Sequence, residues 1–195
     1  MAEGEKIFDV VVIGSGIAGL STAAAAAEKG LHVAVVSKEE DLRECNTNYA
    51  QGGIVETGAG DSPDLLFEDI FRAGSSVGFR ESVRYVASEG PAVVREYLME
   101  KAGVPFSVDA SGRVDRTREG AHSVGRILYV KDFTGKAVEE KLHAYAASFK
   151  NVDFFSAHTA VDVITNSHNS TDSQERYRHT QAIGIYVLEN ATGRI

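Results

Sequence analysis

Ile7-Phe-Asp-Val-Val-Val-Ile13 leads straight into Gly14-Ser-Gly-Ile-Ala-Gly19, and an alanine- and leucine-rich run continues from Ile17 to Lys29. The first stretch is almost continuously apolar, the pattern of a strand buried on both faces of a parallel sheet. The last is helix-forming, with Gly30 placed as its C′ residue. Between them the glycines have the strand, turn and helix that a bare Gly-x-Gly-x-x-Gly lacks. Gly14 permits the tight turn, Gly16 lets backbone approach a pyrophosphate, and Gly19 lets helix and strand pack closely. Ser15, Ile17 and Ala18 complete the turn, where the N–H groups of a helix N-terminus favour phosphate. The competing reading is a glycine-rich turn in some other α/β protein. The flanking strand and helix favour a dinucleotide site.

A second strand is expected over Leu31 to Val36. An acidic residue normally stands at its end to bind a ribose hydroxyl. Here that position, 18 residues after Gly19, is Ser37, followed by Lys38 and Glu39. Ser37 can still hydrogen-bond a ribose, and Lys38 is placed for phosphate or adenosine. The departure argues against an ordinary NAD-dependent dehydrogenase.

The next glycine-rich stretch is Asn46-Thr-Asn-Tyr-Ala-Gln-Gly-Gly53. Its composition alone allows a surface loop with turn glycines. Ser37-Lys38 followed by this stretch and Ile54 resembles the flavoprotein family of L-aspartate oxidase, succinate dehydrogenase and fumarate reductase. Thr117-Arg-Glu-Gly-Ala-His-Ser123, Arg126-Ile-Leu128 and Asp132-Phe-Thr-Gly135 look like the corresponding stretch of the L-aspartate oxidase branch. The resemblance runs from Phe8 to about Val163. It departs from the family at Ala121, where a glycine is usual, and at Val124, Gly125 and Tyr129.

The resemblance implies a Rossmann-like FAD-binding domain with a parallel sheet over residues 1–195, incomplete at the C-terminus. The capping and helical domains and the principal catalytic arginine of the family would lie beyond it. It implies that Asn46, Thr47, Asn48, Tyr49, Ala50, Gln51, Gly52 and Gly53 lie along the ribityl chain and ring of FAD. Backbone at Ala160 would meet the adenine. Respiratory relatives carry a histidine at the position of Asn46 that bonds covalently to flavin, so FAD here is expected to be non-covalent.

It also implies a substrate, L-aspartate, and an acceptor, oxygen or fumarate. The product would be iminoaspartate, opening NAD synthesis through quinolinate, with quinolinate synthase as a candidate partner. Glu119 would stand near the substrate's amino group, because a carboxylate there attracts an amino acid and disfavours succinate or fumarate. Read without the resemblance, Glu119 is one charge in the solvated loop Asp115-Arg-Thr-Arg-Glu119. His122 and Ser123 are expected to shape the loop, and Arg126 to make a loop salt bridge or to pack. Two alternatives stay open: a soluble fumarate reductase or succinate dehydrogenase flavoprotein, and a non-catalytic FAD-binding module.

The chain has 195 residues, 43% of them hydrophobic, enough for one sizeable core. No apolar stretch is long enough for a membrane helix, and the net charge of −8 argues against nucleic acid or an anionic membrane as partner. The single cysteine, Cys45, precludes an internal disulfide and suits a reducing cytoplasm. The histidines lack metal-ligand spacing, and no metal is expected.

Further along, helices are expected over Pro63 to Gly74, opened by Asp61-Ser62-Pro63, and over Glu81 to Lys101, interrupted at Gly90-Pro91 and ended by Gly103. Pro105 to Val108 reads as a short strand and Ala110-Ser-Gly112 as a turn. Thr134 to Lys150 reads as a helix with Thr134 as its cap. Val152 to Ser156 reads as the third parallel strand, outside the second in the order 3-2-1. Thr159 to Thr165 and Gln181 to Glu189 read as strands around a polar, mobile loop, Asn166 to Arg178. Asn190-Ala-Thr-Gly193 then reads as a turn, and Arg194-Ile195 as the start of a strand that leaves an open edge. Asn169-Ser-Thr171 and Asn190-Ala-Thr192 fit the glycosylation pattern, which a cytoplasmic location makes irrelevant.

Overall fold

A computed structural model describes residues 6–168 and 170–195, so the Asn169 position of the first glycosylation pattern lies outside the described residues. In chain order the elements are β1 Val10–Ile13, α1 Ile17–Glu28, β2 Val33–Val36, the single helical turn α2 Asn46–Tyr49, β3 Ile54–Val55, α3 Pro63–Ala73 and α4 Arg80–Val93. There follow a π-helical stretch Val94–Lys101, β4 Ile127–Leu128, α5 Thr134–Ala147, β5 Val152–Phe155, β6 His158–Thr165, a 3-10 turn Glu175–Tyr177 and β7 Ala182–Glu189. The chain divides into two compact units, residues 1–45 with 146–195, and residues 46–145.

The first unit is a parallel sheet in the order β1-β2-β5, as the 3-2-1 reading expects, with Val10 beside Val33 and Val33 beside Val152. Its core joins Val12, Val33, Val35 and Val152 to Ala23 and Ala27 of α1. Alanine along that helix lets it lie close on the sheet, and Gly30, at φ +80°, ends it. Asn151 pins the next strand by donating from Nδ2 to the carbonyls of Ala27 and Leu31, at 3.0 and 2.7 Å. Every residue of β2 is buried. β1 is shorter than expected and is not buried on both faces: Val11 is 40% and Ile13 57% exposed. The reason is position, since β1 is an outer strand with α1 on one side only among the described residues. β6 and β7 form an antiparallel pair with a register shift between Ala160 and Asp162, and Asn190–Gly193 turns as expected, Gly193 having φ +71°. Arg194 makes one antiparallel bridge to Glu189.

In the second unit α3 begins as its sequence dictates. Ser62 Oγ accepts from the Leu65 N–H at 3.1 Å, and Pro63 fills the first helical position. Leu66 and Phe67 pack with Ala87 of α4. α4 runs through Gly90-Pro91 without the expected break. Pro91 removes one donor from the ladder, and regular α geometry gives way only at Val94, where the helix widens. The Ala102 N–H there reaches back five residues to the Tyr97 carbonyl, at 2.9 Å, before Gly103 at φ +67° ends the element. Residues 105–108 form no strand, because Val108 makes only an isolated bridge with Val114 across the turn at Gly112. Thr134 opens α5 but does not cap it: its Oγ1 accepts from the Val130 N–H, at 2.9 Å, upstream of the helix. Asn46–Tyr49, read as loop, closes one helical turn. The short antiparallel pair β3–β4 was not expected, two-residue strands being too short to show a period.

Candidate functional site

The glycine turn of the first unit is built as a cradle. Gly14 takes φ +102° and donates its N–H to the Val36 carbonyl at 2.8 Å, tying the turn to the end of β2. A side chain at Gly19 would put its Cβ 2.0 Å from the Gly14 carbonyl oxygen, so only glycine fits. Gly16 stands at the N-cap of α1, no side chain caps the first helical turn, and no acidic residue occupies it. A helix end of this kind can accept an anion at its backbone N–H groups. Those residues fit the pyrophosphate of a dinucleotide.

Ser15 is buried and committed internally: its Oγ–H donates to the Leu42 carbonyl at 2.5 Å and lies 3.3 Å from Ser37 Oγ. Ser37 is buried too. Ser37, the residue expected at the ribose, thus stands beside the glycine turn, with its hydroxyl against Ser15. Lys38 is exposed, its Nζ 3.4 Å from Glu39 Oε1, and its carbonyl accepts from Asn190 Nδ2 at 2.9 Å. Ala160 lies in β6, next to the register shift.

In the second unit the Asn46–Gly53 stretch is held from beneath and open above. A Cβ at Gly135 would fall 2.0 Å from the Thr47 carbonyl oxygen, and the Gly135 N–H donates to the Ala50 carbonyl at 2.9 Å. Gly53 is equally constrained, its Cβ direction 2.1 Å from Ile127 Cγ2. Asn46, Tyr49, Ala50, Gln51, Gly52 and Gly53 are nonetheless exposed, and nothing lies within 4 Å of a Cβ at Gly52. Backbone this fixed and this open can receive an extended ligand with little reorganisation.

Glu119 lies on the exposed 118–121 turn, beside Gly120 at φ +50°. Among the described residues no hydrogen bond or ion pair engages its carboxylate. Beneath that loop sits what the sequence reading missed. Arg126 is fully buried, its Nη1 3.0 Å from Asp69 Oδ2 and its Nη2 2.9 Å from Asp61 Oδ1, with both carboxylates buried. The second contact is close as a pair of charges but poorly aligned as a hydrogen bond. Arg126 is therefore a core ion pair rather than a loop salt bridge. Glu56, also fully buried, is held between Arg95 and Arg116. Burial opposes ionisation of Glu56, but hydrogen bonds from Arg116 and Arg95 outweigh it and hold the carboxyl below its ordinary range. Asp69 behaves alike: burial raises its pKa, but the hydroxyl and N–H of Ser123, with Arg126 and Arg72, outweigh it and hold the carboxyl below its ordinary range. One signal was present in the sequence. Asp69 stands among Leu66, Phe67 and Ile70 on the apolar side of α3, where an unpaired acid could not be buried.

A family model described as FAD binding domain matches residues 9–195. L-aspartate oxidase, chloroplastic, of Oryza sativa subsp. japonica is 39% identical over 168 residues, covering 86% of this chain and 25% of that protein. L-aspartate oxidase of Halobacterium salinarum is 38% identical over 188 residues, covering 94% and 36%. Among solved structures, the Mycobacterium smegmatis Sdh1 complex superposes with a TM-score of 0.75 at 27% identity, covering 82% of this chain and 29% of that one. A quinol fumarate reductase of E. coli shares the fold, with a TM-score of 0.78 at 24% identity over 93% and 29%. The chain spans a quarter to about a third of the length of the curated relatives it matches. On a glycine cradle fit for a pyrophosphate and a family match across both units, this chain belongs to the FAD binding domain family, with FAD as its cofactor.

Proposed function

We propose that this chain is the cofactor-holding part of an FAD-dependent L-aspartate oxidase. The observation that carries the reading is Glu119: an exposed carboxylate with no partner among the described residues, on a loop that buried ion pairs fix in place. Likeness to L-aspartate oxidases at 38–39% identity supports it. The substrate loses a hydride from Cα and a proton from its amine, giving iminoaspartate. FAD, when bound, supplies the two-electron acceptor for that hydride. The chain's own residues bind and orient. Gly14 to Gly19 would hold the pyrophosphate, Ser37 and Lys38 would stand at the ribose end, Asn46 to Gly53 would line the flavin, and Ala160 would meet the adenine. Glu119 holds the substrate ammonium.

Oxygen or fumarate is the proposed acceptor, and quinolinate synthase the proposed consumer of the product. A single cysteine suits a cytoplasmic setting, and no helix among the described residues is long and apolar enough to cross a membrane. The resemblance to succinate dehydrogenase and fumarate reductase flavoproteins supports a second reading, a dehydrogenase of plain dicarboxylates. The two separate on Glu119→Gln in the full-length, FAD-loaded protein. The first reading expects kcat/KM for aspartate to fall about tenfold or more, with fumarate reduction changed far less. Equal losses on both substrates would contradict it.

A further inference from the structure

Glu119 belongs to no helix or strand, so whatever fixes it acts through the stems of its loop. Thr117 and Ile127 exchange backbone hydrogen bonds, at 3.0 and 3.1 Å, and close the base. Each stem then carries an arginine seated on a buried carboxylate, Arg116 on Glu56 and Arg126 on Asp69 and Asp61. Asp69 reaches up from α3 and spends both oxygens on the loop. Its Oδ2 accepts from the Ser123 N–H at 2.7 Å, and its Oδ1 accepts from Ser123 Oγ at 2.5 Å. Arg72 closes the cluster with a 2.5 Å contact to the same Oδ1, so two arginines balance two aspartates. Arg126 passes the constraint on, its Nη1–H donating to His122 Nδ1 at 3.3 Å. Arginine can only donate, so His122 Nδ1 is the acceptor in this pair. The Arg118 Nε–H reaches the His122 carbonyl at 2.8 Å.

Buried ion clusters add little net stability, but removing one member is costly, and they select one arrangement over its neighbours. Taking Glu119, as in the reading above, to be the carboxylate facing the substrate's ammonium, we infer that Asp69 is its positioning residue. Through Ser123 and Arg126 it fixes the 117–127 loop, so preference for an amino-dicarboxylate over a plain dicarboxylate is set from α3.

The test uses the full-length, FAD-loaded protein with Asp69→Asn and Ser123→Ala. The second variant keeps every charge of the cluster and deletes one hydroxyl, so it keeps the test alive if Asp69→Asn does not fold. Deuterium uptake of residues 117–127 is read alongside the aspartate-to-fumarate ratio of kcat/KM. In Ser123→Ala, exchange at 117–127 is expected to quicken about fivefold, exchange in α1 to stay unchanged, and the ratio to fall by a similar factor. Unaltered exchange in both variants overturns the inference. So does faster exchange with an unmoved ratio in a protein whose ratio does respond to Glu119→Gln. If exchange quickens but Glu119→Gln also leaves the ratio unmoved, the anchoring by Asp69 stands and the aspartate reading falls.

Discussion

Two glycines and one asparagine decide most at the scale of single residues. Gly19 has no room for a methyl group beside the Gly14 carbonyl, so Gly19→Ala must push α1 off the turn that can accept the pyrophosphate. FAD content after desalting, read from visible absorbance, is expected to fall at least tenfold, while Gly90→Ala, in α4 with its Cβ 3.9 Å from the nearest neighbouring atom, keeps the cofactor. Asn46 offers no nucleophile for a flavin link. Acid or urea denaturation is expected to release all the flavin into the supernatant, and colour left on the precipitated chain would contradict that. The glycine turn was legible in the sequence because its geometry is local: glycine spacing suffices. The burial of Ser15 and Ser37 against each other was not legible, since it depends on two segments meeting across the ends of β1 and β2.

Elements carry the electrostatics. Glu56 and Asp69 both have carboxyl pKa values held below the ordinary range, against the opposing effect of burial. A depressed folded-state pKa contributes stability that is present above the unfolded value, about 4, and is lost as pH falls through the lower folded value. The unit of residues 46–145 is therefore expected to lose stability progressively below about pH 4, as followed by urea unfolding at stepped pH. Glu56→Gln, which leaves Arg95 and Arg116 without their buried anion, should cost about 3 kcal/mol at neutral pH and flatten that acid slope. An unchanged slope would remove Glu56 from the account. Helix α3 was readable to its caps from Ser62-Pro63 and its apolar spacing. The π-helical stretch was not, because Pro91 marks a weakened ladder without saying where the chain absorbs it. The pair β3–β4 escaped for want of length, although it sets the level from which the Glu119 loop rises.

At the scale of the whole molecule, the parallel order of β1, β2 and β5 followed from apolar runs separated by a helix and a glycine turn. The division into two compact units did not, because the second unit is held by buried ion pairs as much as by apolar packing. Charged residues at loop positions read as solvated in a sequence, and only folding shows that the side chains of Asp61 and Arg126 are interior. A family match that spans both units makes FAD the shared element of the account. The most direct test of its central claim is the visible spectrum of the full-length, FAD-loaded protein mixed anaerobically with L-aspartate, and separately with succinate. Aspartate is expected to bleach the flavin band and succinate to leave it intact. Bleaching by succinate with none by aspartate would contradict it.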